Sequence, residues 1–208
     1  MRQRVENSQG GFTLVELLIT MLLSGIVIIS IYSAFQAQQT SYVVQDQVTE
    51  MQQNIRAGID TMTKEMRFAG YDPQRTADAA IVSAAATSMN FTLDLNRDGD
   101  VADANENITY SLDTVDLELE RNNQPLAQNI EGLEFVYLDE DNAVTADADE
   151  IRSVVISILA RAGQADRAFV NSKGYQAFSG TIWGPYDDNF RRRLLMQRIQ
   201  CRNMGLVE

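Results

Sequence analysis

The sequence predicts an α+β fold in which one long N-terminal helix, over residues 12–69, packs on an antiparallel β-sheet. Three observations predict it. Residues 12–35 form an apolar run interrupted by a single charge, Glu16. Apolar side chains between residues 44 and 66 then recur on one narrow helical stripe. From residue 81 onward the pattern changes to short alternating segments separated by acidic turns.

Residues 1–11 are hydrophilic and carry Arg2 and Arg4, as the start of an export signal does. The small residues Gly10 and Gly11 stand before the apolar stretch, whereas a secretory signal places its cleavage site after it. A cut between Gly11 and Phe12 would remove only the leader, keep the apolar segment of residues 12–35, and expose a new amine on Phe12. Inside a bilayer surrounded by lipid, a charged side chain near the centre costs about 2.5–3.5 kcal/mol. Glu16 therefore calls for a cation. In one straight helix the Phe12 amine lies about a turn away, so that cation is either the chain's own amine or that of a neighbouring subunit.

The amphipathic second half of the helix, residues 36–70, carries Val44, Val48, Met51, Ile55, Ile59, Met62 and Met66. Their three- and four-residue spacing makes a seam that docks on a sheet. A coiled coil has the same spacing, but the flanking positions lack sustained charge pairing. Gly58 weakens the helix locally, and Gly70 with Asp72-Pro73 ends it. At 1.5 Å per residue the whole helix would reach roughly 85 Å. Residues 71–208 form the β-rich head. Alternation marks strands at 89–93, 107–112 and 115–120, and longer ones at 130–138 and 151–161. Val154, Val155, Ile156, Ile158 and Leu159 identify the last as a central buried strand. Residues 162–189, rich in Gly, Ser, Asn and Asp, read as a long surface loop. Residues 190–203 fit a strand or a short helix, and Arg191-Arg192-Arg193 reads as solvated charge at a strand edge or domain face, with contact to an acid as the alternative.

Composition argues against catalysis and against nucleic acid as a partner. The chain has no histidine, hence no ordinary general base and no usual zinc ligand. It has neither a nucleophile elbow nor a phosphate-binding glycine loop. Its formal charge is −12, and loss of the leader would make it −13 on 197 residues, a surface that repels phosphates. Cys201 is the only cysteine, so no intrachain disulfide can form, and a structural or surface thiol is expected.

One motif carries metal chemistry. In Asp94-Leu95-Asn96-Arg97-Asp98-Gly99-Asp100, oxygen side chains stand at loop positions 1, 3 and 5, with glycine at position 6 for the sharp turn. This is the opening of a calcium loop, in which Asp100 would supply position 7. The bidentate carboxylate of position 12 falls on Asn105, with Glu106 one residue later and Asp103 two earlier. No helix pattern flanks the loop, so the rival reading is a solvated acidic turn between strands. Calcium is thus the one candidate cofactor, and none is required. The acidic stretch 139–150 lacks the spaced glycine and reads as a solvated face.

Gly11-Phe12-Thr13-Leu14-Val15-Glu16-Leu17 resembles the cleavage and methylation site of type IV prepilins, and Gly25 stands where that family has a glycine. The resemblance implies that a prepilin peptidase cuts after Gly11 and methylates the Phe12 amine. It also implies that Glu16 meets a neighbouring subunit's terminal amine as it enters a filament. Ser33 replaces a helix-kinking proline of many major pilins. The segments 65–73 and 151–154 and the pair Arg202-Asn203 resemble the PilW-like minor pilins. That likeness implies a subunit held in the inner membrane by one span, with its head in the periplasm, before it reaches the pilus. Its implied partners are major and minor pilins, the peptidase and the inner-membrane assembly platform, in a tip complex that primes assembly. Two alternatives are a J-type minor pseudopilin of type II secretion and a calcium-dependent tip adhesin using Trp183, Tyr186 and Asp187.

Overall fold

The computed structural model describes residues 11–205. The leader expected over residues 1–11 therefore lies outside the described residues except for Gly11. The chain divides into two compact units, Met1–Gln45 and Asp46–Glu208. Helix α1, Leu14–Met66, begins in the first and ends in the second.

In the first unit the apolar side chains of α1 are exposed on all sides, from Leu14 to Phe35. Ser30 and Ser33 donate their hydroxyls to the carbonyls of Ile26 and Ile29, both at 2.9 Å. This internal bonding satisfies polar groups that lipid could not. Ser33 thus sits in an unbroken helix, without the kink that proline would impose.

In the second unit, α1 buries Met51, Ile55, Ile59, Met62 and Met66, five members of the expected seam. Gly58 has a structural reason that helix propensity alone does not supply. A Cβ there would stand 3.2 Å from Leu119 Cδ2 and 3.3 Å from the Cβ of Ala127, so glycine permits close approach of helix and sheet. The helix ends at Met66, three residues short of the expected end at 69, and a turn leads to Gly70, whose φ of +74° is left-handed and whose N–H donates to the Thr92 carbonyl at 3.0 Å. Beside that end, Glu65 accepts from the Tyr110 hydroxyl and from Arg121 Nε, tying α1 to the sheet.

The partner of α1 is an antiparallel meander of five strands: β1 (Ile81–Ala84), β2 (Ser88–Thr92), β3 (Asn107–Asp113), β4 (Glu118–Arg121) and β5 (Gln124–Gln128). Met89 pairs with Tyr110 and Phe91 with Ile108, and all four point into the core. The strand expected at 115–120 starts only at Glu118. Asp113 accepts from the N–H groups of Val115 and Asp116, which turns the chain and leaves Val115 86% exposed.

A second sheet has the order β10-β7-β6, from β6 (Ile130–Leu138), β7 (Ser153–Arg161) and β10 (Arg192–Gln200). Strand β7 is central and buried at every position except Arg161, as its near-continuous apolar run predicts. Met89, Phe91, Phe135, Ile156, Ile158 and the buried face of α1 belong to one core cluster. The open choice at 190–203 is settled as a strand, because its backbone pairs with β7 from Arg192 to Gln200.

Residues 162–189 lie at the surface and are mostly exposed, as expected, but they are not without structure. They contain a small hairpin, β8 (Tyr175–Gln176) with β9 (Ile182–Trp183), and lie against the second sheet. The Phe178 N–H donates to Ser157 Oγ at 3.1 Å, and Ser179 donates to the half-hidden carboxylate of Glu134. Trp183 lies over Gly132, where a Cβ would meet the indole at 2.9 Å. Arg192 departs from the solvated charge expected of it. Its side chain is 1% exposed, is clamped by Glu131 and Asp188, and lies 3.8 Å over the Tyr186 ring. Arg191 pairs with Asp166 at 2.7 Å.

Candidate functional site

Two places gather the chemistry-bearing residues. The first is the start of α1. Gly11 and Phe12 are exposed, Phe12 at 85%, immediately before the helix begins. The Thr13 N–H and hydroxyl each donate to Glu16 Oε2 at 3.0 Å, and the Glu16 N–H donates to the Thr13 hydroxyl at 3.2 Å. This is a reciprocal capping box, with Thr13 at the cap and Glu16 three residues on. Sequence reasoning assigned Glu16 only a cation. The Thr-x-x-Glu spacing that opens an apolar helix was the signal for its second role.

Neutral donors thus hold the carboxylate in the single subunit, and among the described residues no ion pair engages it. Glu16 lies in the first turn, where the helix dipole favours negative charge. It is also fixed in direction, one turn from the exposed Phe12. From there the helix is long and apolar enough to cross a membrane, with a mean hydropathy of 2.5 over its best window. Gly25 faces open space.

The second place is the acidic connection between β2 and β3. Asp94 is fully buried; its Oδ1 accepts from the Arg97 N–H at 2.6 Å and its Oδ2 from the Gly99 N–H at 3.3 Å. Arg97 and Gly99 both have positive φ, 67° and 91°, the conformation the Asp-x-x-x-x-Gly turn demands. Asn96 donates to Asp98 and Asp103, at 2.8 and 2.7 Å. One carboxylate oxygen from each of Asp98, Asp100 and Glu106 falls in a group whose members are within 4.8 Å of one another.

Asn105, the expected twelfth position, is turned elsewhere and accepts from Arg121 Nη2 at 3.2 Å. Its φ of 73° advances the chain so that Glu106 faces the loop instead. The loop is tied to the segment beyond α1. The Asp94 N–H donates to the Tyr71 carbonyl at 2.7 Å, Arg97 Nη2 to the Tyr71 hydroxyl, and Gln74 Nε2 to the Arg97 carbonyl.

The remaining candidates take structural positions. Cys201 is 2% exposed, and burial pushes its thiol up to about 12, so it is protonated at neutral pH. Trp183 and Tyr186 are engaged against Gly132 and Arg192, as described above.

Comparison with known proteins adds three findings. Residues 7–32 match the family described as Prokaryotic N-terminal methylation motif. Residues 44–173, more than half of the chain, match the family described as Prepilin peptidase-dependent protein B. Among solved structures, a type IV-like pilin from Thermus thermophilus is similar, at 14% identity and a TM-score of 0.48, over 74% of this chain and 97% of that one. No curated protein sequence matches the chain.

Proposed function

This chain belongs to the prepilin peptidase-dependent protein B family of type IV pilin-like proteins, and from that premise we propose that it is a PilW-like minor pilin. Its role is to enter a tip complex with other minor pilins and prime filament assembly. Before assembly one span holds it in the inner membrane with the head in the periplasm. A prepilin peptidase cuts between Gly11 and Phe12, and the mature chain then passes through the assembly platform to the pilus.

The observation that supports this most is Glu16. It is the one charge in an uncovered apolar helix, one turn from the exposed Phe12, and the capping box pre-aims it. A carboxylate left in lipid is costly, and pairing with a neighbour's terminal amine relieves that cost only on assembly. The head contributes a rigid body to the complex.

The test replaces Glu16 by Gln and by Ala in the native host, with filaments counted and the Gly11 to Phe12 cut checked by mass. Gln keeps the capping-box acceptor but removes the charge. Loss of filaments in both variants, with cleavage intact, is the expected result. Loss in Ala alone would mean that Glu16 serves only as a cap, and normal filaments in both would overturn the priming role. Intact filaments with failed export of secreted proteins would instead favour a minor pseudopilin of type II secretion.

A further inference from the structure

We propose that the β2–β3 connection is a calcium site, with Asp98, Asp100 and Glu106 as its carboxylate ligands and Asp94 and Asn96 shaping the loop around it. The motif alone does not carry this, since acidic turns are common. What carries it is Glu106. The residue is 1% exposed, and its two oxygens are treated differently by the fold. Oε1 accepts from the N–H groups of Leu95 and Asn96, at 2.9 and 3.1 Å. Oε2 is buried and has no hydrogen-bond partner among the described residues.

A buried carboxylate oxygen without a donor is rare in folded proteins, because desolvation is then uncompensated. Here two backbone N–H groups fix the carboxylate, and one Glu106 oxygen lies within 4.8 Å of a carboxylate oxygen from each of Asp98 and Asp100. Three like charges gathered this closely repel one another unless a cation stands between them. The nearby guanidinium does not serve, since Arg97 reaches to the Tyr71 hydroxyl and forms no ion pair with these acids among the described residues. All the available donors are oxygens, which selects hard cations over zinc or copper. Calcium accepts an irregular shell of six to eight oxygens, carbonyls and waters included, where magnesium demands a tight octahedron.

The consequence is mechanical. A bound ion would pull the β2–β3 connection into one rigid piece with the segment that follows α1, through the bonds from Asp94, Arg97 and Gln74 to residues 71–97. Calcium would therefore stiffen the stretch by which the chain leaves the C-terminal end of α1, independently of whether the chain primes a filament.

The full-length chain in detergent, stripped with chelator, is titrated with calcium chloride by calorimetry and followed by thermal unfolding. Trypsin cutting after Arg97, at an exposed position in the loop, gives a local readout. One calcium ion per chain, a higher Tm, and protection at Arg97 that equal magnesium does not give are the expected results. Glu106→Gln and Asp98→Asn each weaken calcium binding by about tenfold or more, as removal of a ligand charge does. Asp100→Asn, at an exposed position, serves if Glu106→Gln fails to fold. Absence of heat, Tm shift and protection at millimolar calcium would overturn the proposal. So would variants that respond as fully as the unaltered chain, which would leave the connection an ordinary acidic turn.

Discussion

Cys201 and Arg192 illustrate how burial redefines a residue whose type alone says little. A lone cysteine can be a nucleophile, a redox sensor or filler. Here it is buried in the core just past the end of β10, with its N–H donating to the Arg152 carbonyl at 3.0 Å. With its thiol pushed up to about 12, almost none is thiolate near neutral pH. Iodoacetamide at pH 8 is expected to leave Cys201 unmodified in the folded chain and to label it fully in denaturant, as mass spectrometry would record. Rapid labelling of folded protein would mean that the C-terminal strand opens. Arg192 looks identical in sequence to its two neighbours. The structure separates them, because alternation along β10 turns Arg192 toward Glu131 and Asp188 and leaves Arg193 exposed.

At the scale of elements, α1 was legible from its period, and its termination from Gly70, because both signals lie within a few residues of where they act. Gly58 was not legible in the same way. Its effect on helix propensity is local, but its packing role depends on Leu119 and Ala127, more than 60 residues away. The two effects have opposite signs. Gly58→Ala gains about 1 kcal/mol in helix propensity. It also forces a methyl against the Cβ of Ala127, which the β-strand holds in place, and overpacking of this kind costs about 1–3 kcal/mol. A net loss near 1 kcal/mol is expected, seen as a Tm lower by about 2–4 °C in full-length chain. A higher Tm would mean that α1 and the sheet separate at no cost. Strand β4 was misplaced by three residues for a comparable reason, since the side chain of Asp113 caps a turn that alternation does not report.

At the scale of the whole molecule, the segment 162–189 covers the second sheet, and two ion pairs, Asp166 with Arg191 and Asp188 with Arg192, add to the hydrogen bonds that hold it. This makes its attachment sensitive to acid. Arg191 holds the Asp166 carboxyl below its ordinary value through a direct hydrogen bond, and Arg192 does the same for Asp188. Groups depressed in the folded state stabilise it above the unfolded value, about 3.9, and that contribution is lost as pH falls through the lower folded values. Trp183, the sole tryptophan, lies in this cover and reports on it directly. Its emission is expected to hold constant from pH 7 to about 4 and to shift red below that. In Asp188→Asn the cover is weaker at neutral pH, and the difference from the unaltered chain shrinks as pH falls. A red shift that begins near pH 6 would assign the transition to other groups.

The sequence by itself determined the apolar span with its single carboxylate, the processing motif at Gly11 and Phe12, the docking seam of α1 and the buried strands β6 and β7. Each is written in residues a few positions apart, where periodicity and motif spacing act. Only the tertiary structure decided that Glu106 rather than Asn105 faces the acidic loop and that residues 162–189 cover a sheet. The Thr13–Glu16 capping box, by contrast, was present in the local spacing. The first two depend on contacts between distant segments. Arg121 of β4 draws Asn105 aside, and Ser157, Glu134 and Gly132 receive the cover. Sheet register and close packing set those distances, and no local pattern encodes them.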